Sequence, residues 1–293
     1  MKRMLFFGLI VIFTCMGIGA EAVNNSNKEK ERLLEVEDHI ISEARDDKVP
    51  GASAQQVIEY ENLVLHKAEK SNISNSEEPA SAEAENTLHD SLIQKLYVKD
   101  GKKTAYLTFD DGPSKNITPK VLDILKKYDI KATFFIIGYL AEENSAILKR
   151  AEEEGHAIGN HSYDHNFKDI YKSVENFLQN VKRCDEALRK VLGESYKSRI
   201  FRFPGGSYKR EKFMNALEKE GYKYIDWNSL SGDAEGNNIP ADILVKRVIK
   251  ESKNKEDIVV LMHDAGSKKT TVQALPQIIE YLKSQGYEFK TIE

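Results

Sequence analysis

The chain has 293 residues, 40% hydrophobic and 31% charged, enough apolar content for one sizeable core with further segments attached. Lys and Arg number 43 against 47 Asp and Glu, a formal net charge of −4, which excludes the bulk basic field that drives nucleic-acid binding. Two cysteines are too few for a disulfide framework.

Met1-Lys2-Arg3 precedes an apolar run over residues 4–20, and Ala20-Glu21-Ala22 offers a small-residue cleavage site. Residues 1–22 therefore read as an export signal, or as a membrane anchor that keeps residues 4–20, and place the protein in the extracellular space or the cell envelope. Residues 23–98 are polar and uneven. Leu33, Val36, Ile40 and Ala44 recur at helical spacing, and SNISNSEEPASAEAENT, Ser71 to Thr87, has linker composition, so a partly helical polar stalk is expected.

From residue 99 to the end, short β-rich runs alternate with amphipathic helices. Strands are expected over 105–109, 132–137, 157–160, 200–203, 224–227, 258–262 and 287–292. Helix signals lie between them, with Thr118-Pro119 as N-cap and first turn and Gly155, Gly193, Gly221 and Gly286 at C-terminal ends. Cys184 falls in the series Phe177, Val181, Cys184, Leu188, Val191 and reads as a buried, inert thiol. Repeated βα units in residues 99–293 imply an α/β fold, either a doubly wound sheet or a (β/α) barrel.

Each unusual polar cluster follows an expected strand, and carboxyl ends of parallel strands converge on one face. Asp110 and Asp111 follow the first, in TFDDGP. Adjacent acids repel, and in a regular strand they face opposite ways. NHSYDHN, Asn160 to Asn166, contains His161 and His165, a spacing that puts two imidazoles on one face of a helical turn. One of the two acids with both histidines makes three ligands and an open position, the pattern of catalytic zinc. The other acid is then free to take a proton from water, and Arg202, if it reaches that carboxylate, holds it ionised. His263, ending the apolar VVLMHD, suits a general acid, and the backbone of RFPGGS near Gly205 suits an oxyanion. Trp227, the only tryptophan, suits an apolar wall.

TFDDGP, HSYDH, RFPGG, DWN and LMHD, in this order, closely resemble the five motifs of polysaccharide deacetylases with the NodB-type homology domain, carbohydrate esterase family 4. The resemblance covers residues 99–293 and implies a distorted (β/α) barrel of about seven strands, one divalent metal ion, zinc first, and hydrolysis of the N-acetyl group of a β-1,4-linked amino sugar. By motif position it implies Asp110 as general base, Asp111, His161 and His165 as metal ligands, Arg202 as the residue orienting the base and His263 as catalytic acid. Trp227 and Leu261 match hydrophobic positions beside the acetyl methyl. Two departures stand out. Many members carry an aromatic where this chain has Gly205, which implies a more open groove, and Leu230 takes the first acidic position after the fourth motif, leaving Asp233 to tune His263.

The partner expected is a cell-wall glycan, peptidoglycan N-acetylglucosamine first, met by a monomer. MurNAc, a chitooligosaccharide, an exopolysaccharide and an acetylated xylan are alternative substrates. An inactive wall-binding scaffold and a metal-dependent phosphoesterase are the alternatives of another class.

Overall fold

The computed structural model describes residues 101–292. The export signal or anchor and the polar stalk expected over residues 1–98 lie outside the described residues. Among the described residues, no helix is long and apolar enough to cross a membrane.

The centre is β1 (Thr104–Gly112), an apolar strand buried at every position except half-buried Asp111. It pairs in parallel with β2 (Thr133–Ile136) and β7 (Asp257–His263), and helix-covered parallel strands are apolar on both faces. The remaining strands are β3 (Ala157–Asn160), β4 (Ile200–Phe201), β5 (Lys223–Tyr224), β6 (Ser229–Leu230) and β8 (Glu288–Phe289). Their order is β5-β4-β3-β2-β1-β7-β6, with β8 set against the start of β1. Every pairing is parallel, giving a half-barrel of seven strands with β8 off the path.

The helices are α1 (Thr118–Tyr128), α2 (Gly138–Glu143), α3 (Ser145–Glu153), α4 (Phe167–Ile170), α5 (Val174–Leu192), α6 (Glu211–Lys219), α7 (Ala241–Glu251) and α8 (Lys269–Ser284). Their apolar stripes pack on the strands in one large buried cluster, which includes Leu107, Phe134, Val260, Leu188 and Ile278. A second cluster gathers Phe177, Phe201, Phe203 and Phe213 around α5 and β4. Cys184 is fully buried in the first, its thiol donating to Ile136 O at 3.4 Å, and burial pushes its pKa up, as an inert thiol requires.

Two local expectations are corrected. The N-cap of α1 is Ile117 rather than Thr118, and the Ser114 hydroxyl accepts from the N–H groups of both Ile117 and Thr118. The strand expected over 224–227 is confined to Lys223–Tyr224 because the chain there crosses between two edges. Ile225 N still bonds Phe201 O at 3.2 Å, whereas Asn228 N bonds Val259 O of β7 at 3.3 Å. Residues 225–228 thus span the open side of the half-barrel and lead into β6, which the sequence did not foretell.

Candidate active site

The register decides which polar side chains meet. Asp110 lies opposite His263 across β1 and β7, while β2 pairs Ile136 with both Gly112 and Asn160. Between Asp110 and Gly112 the ladder shifts by one residue, and Asp111 is the extra one, with a left-handed φ of 70°. A bulge of this kind re-aims a side chain, and a non-glycine residue in that region carries strain tolerated at functional sites. Hence the two acids do not face opposite ways, as a regular strand would have them. Both reach the same imidazole: His161 Nε2 is 3.5 Å from Asp111 Oδ1 and 3.9 Å from Asp110 Oδ2.

The histidines also meet by another route than a helical turn. HSYDH is a loop with left-handed backbone at Ser162 (φ 72°) and His165 (φ 54°). Asn160 Oδ1 accepts from Ser162 N, and Ser162 Oγ accepts from His165 N. These short bonds fold the loop so that the rings sit 5.0 Å apart. Asp111 Oδ1 lies 3.4 Å from His165 Nε2, and one ligand atom from each of Asp111, His161 and His165 falls within 4.8 Å of the others.

This trio fits a divalent cation on two structural grounds. Asp111 Oδ1 is a buried oxygen with no hydrogen-bond donor among the described residues. His161 Nδ1 faces the Arg202 carbonyl at 2.8 Å, which fixes the proton on Nδ1 and leaves the Nε2 lone pair toward Asp111. Burial, against the pull of Asp111, takes the His161 pKa down to about 3, so the ring stays neutral, as a ligand must be.

Arg202 is fully buried and donates from all three guanidinium nitrogens. Nε donates to Ile225 O at 3.0 Å, Nη2 to Asp226 O at 3.1 Å, and Nη1 to Thr108 Oγ1 at 2.6 Å and Asp110 Oδ1 at 3.0 Å. The expected contact is present, and its charge pulls the Asp110 pKa down as expected. Burial raises the Asp110 pKa above its ordinary value, and Arg202 with His263 offsets only part of that rise.

In the same cavity, His263 Nδ1 lies 2.8 Å from Asp233 Oδ1, and the His263 N–H donates to Asp233 Oδ2 at 2.8 Å. Asp233 opens a 3-10 turn after β6, and Thr271 of α8 donates to its Oδ2 at 2.7 Å. Burial alone would lower an imidazole, yet the Asp233 charge and hydrogen bond outweigh it and carry His263 up to about 9. Asp233 itself is lowered: burial raises it, but His263 and its hydrogen bonds win.

Asp110, Asp111, His161, His165, Asp233 and His263 line one cavity of about 330 Å³ with Gly205, Trp227 and Leu261, and Arg202 supports it from behind Asp110. Leu261 is buried and Trp227 half-buried. Gly205 is exposed at the cavity, and the position that its side chain would take is not empty. Its φ is 75°, and a Cβ on it would stand 2.8 Å from Phe167 Cε1, so the Phe167 ring occupies the space. Two contributors were given no role by the sequence. Phe167 lies past the histidine motif, and Asp226, the first residue of DWN, is buried and accepts from Ser207 N at 3.2 Å and Ser207 Oγ at 2.5 Å, pinning the RFPGGS turn.

The family model described as polysaccharide deacetylase matches residues 97–225. A peptidoglycan-N-acetylglucosamine deacetylase of Bacillus cereus is 38% identical over 194 residues, 64% of this chain and 69% of its own. A CE4 esterase of Streptococcus mutans superposes with a TM-score of 0.64 at 33% identity, over 69% of this chain and 90% of that one. The catalytic domain of a peptidoglycan N-acetylglucosamine deacetylase from Eubacterium rectale superposes with a TM-score of 0.61 at 32% identity, over 67% and 91%. With the half-barrel and its acid–histidine cluster, these likenesses place the chain in the polysaccharide deacetylase family.

Proposed function

We propose that the protein hydrolyses the N-acetyl group of N-acetylglucosamine residues in a cell-wall polysaccharide, peptidoglycan first, with Zn²⁺ as its metal ion. The observation that carries this reading is the division of polar groups in one cavity: the ligand trio of Asp111, His161 and His165, and the separate His263–Asp233 pair. The Bacillus cereus relative, named for the same substrate, supports the choice of glycan.

Asp111, His161 and His165 would hold a divalent cation, which would supply Lewis acidity to the acetamide carbonyl and to the attacking water. Asp110, tethered through Oδ1 by Arg202, takes the proton of the attacking water on Oδ2. Its raised pKa makes it a better base than an exposed carboxylate would be. The backbone at Gly205 faces the developing oxyanion, and Trp227 and Leu261 enclose the acetyl methyl. His263, kept protonated by Asp233, gives its proton to the leaving amine. Water and amide are consumed; acetate and a free amine result.

The test is acetate release from N-acetylated peptidoglycan and from chitopentaose, with Zn²⁺ supplied and then removed by a chelator. Release that stops on chelation and returns with Zn²⁺ is the expected result. Tight glycan binding without acetate under any divalent metal overturns the enzyme reading in favour of a wall-binding scaffold.

A further inference from the structure

Phe167 is a large apolar side chain left 43% exposed although it lines the cavity of Asp110 and His263. Packing holds it in place. Its ring meets His165 edge-on at 5.0 Å and 82°, and Tyr171 at 6.0 Å and 64°. Tyr171 is itself fixed, its hydroxyl donating to Pro204 O at 2.8 Å and its ring covered by the Arg210 guanidinium at 3.5 Å.

Two rings lie against the glycines of the RFPGGS turn. A Cβ on Gly205 would collide with Phe167 at 2.8 Å, so this glycine makes room for that ring, whereas one on Gly206 would come only into ordinary contact with Trp227 Cη2 at 3.4 Å; φ is 75° and 81° at these positions. The turn is thereby flanked by one aromatic at each glycine, Trp227 half-buried and Phe167 exposed. A pyranose presents C–H groups on its faces and hydroxyls at its rim. An exposed aromatic ring suits the first, as aromatic bodies suit other ligands with one apolar and one wet part.

We propose that Phe167 is the stacking platform of a sugar subsite, binding the glycan residue next to the one whose acetamide enters the centre. This rests on the glycan substrate proposed above and adds to it a requirement for a chain rather than a single sugar. A lone N-acetylglucosamine fills the acetamide position and leaves Phe167 uncovered, whereas an oligosaccharide covers both.

The experiment follows binding through Trp227, the only tryptophan of the chain, in an Asp110→Asn background that prevents turnover, with Zn²⁺ saturating. N-acetylglucosamine and chitopentaose are titrated into this protein and into forms that also carry Phe167→Leu or Phe167→Tyr. Leucine keeps bulk beside His165 but removes the aromatic face; tyrosine keeps the face. Phe167→Leu is expected to weaken chitopentaose about three- to tenfold, the scale of one aromatic contact, while the monosaccharide affinity holds and Phe167→Tyr restores the pentaose. In the otherwise wild-type enzyme the same loss falls on KM rather than kcat. Equal pentaose affinity for the leucine and phenylalanine forms overturns the subsite, as does an equal loss for both ligands, which would mean that the ring only props His165. Acetate release is read separately: binding that depends on Phe167 without any acetate overturns the hydrolysis and leaves the subsite standing.

Discussion

Two histidines of the same cavity are driven in opposite directions. His161 and His263 are both largely buried, with side-chain exposures of 3% and 12%, and burial pulls both imidazoles toward neutrality. The partner on Nδ1 decides the outcome. A backbone carbonyl on His161 fixes a tautomer without adding a full charge, and the ring sits at about 3. A carboxylate on His263 adds the charge, and the ring sits at about 9. One residue type is thus held neutral in one place and protonated in the other, the separation of pKa values that the proposed acid–base chemistry needs.

The heaviest blow to this arrangement is on the ligand side. His161→Ala removes a ligand of the trio, so metal content and acetate release are both expected to be lost, checked by elemental analysis beside an activity assay. Asp110→Asn separates the two. It removes the proton acceptor but no ligand, and kcat/KM is expected to fall about 10²- to 10⁴-fold with metal retained. Metal loss in that variant, or activity within a few-fold of wild type, would contradict the assignment of Asp110 as base.

Much of this site was legible in the sequence because its chemistry is carried by short motifs at strand ends. Register then does what periodicity promised, setting Asp110 opposite His263. What was not legible depends on bends and long-range contacts. Nothing in TFDDGP announces that Asp111 bulges to φ 70°, so the regular-strand geometry predicts opposite faces. HSYDH has helical spacing, yet Ser162 and His165 in left-handed backbone make it a loop. Burial of Arg202 and Asp110 is a tertiary property, which is why the sign of the charge interaction was foreseeable and the net rise of Asp110 was not. Strand β6 is two residues long, too short for any alternation to mark it.

On the acid side, Asp233→Asn makes the partner of His263 resemble that of His161: a hydrogen bond without a charge. The ring should drop from about 9 toward its ordinary value of 6.5, read by NMR titration of the metal-free protein. Near neutral pH the acid is then largely deprotonated, and activity is expected to fall about tenfold or more. The stability sign follows from the raised folded-state pKa. The His263–Asp233 interaction is fully present below pH 6.5 and is lost as pH rises through about 9. Melting temperature in wild type should therefore decline across that window, and Asp233→Asn should flatten the decline. A decline as steep in the variant as in wild type would assign it to other groups.

Thr271→Val makes the finest cut in the comparison, because it touches neither the ring nor the charge. Thr271 Oγ1 donates to Asp233 Oδ2 at 2.7 Å, and that oxygen also accepts from His263 N at 2.8 Å. Deleting one of two donors leaves the carboxylate bonded but less well satisfied, with a cost of about 1 kcal/mol expected from the loss of one buried hydrogen bond. The Thr271 bond helps hold Asp233 below its ordinary pKa, so its removal makes Asp233 slightly easier to protonate. His263 should still titrate far above its ordinary value, with an alkaline limb of activity close to that of wild type. A limb that fell as far as in Asp233→Asn would show that Thr271, rather than the charge of Asp233, sets the acid apart from the ligand.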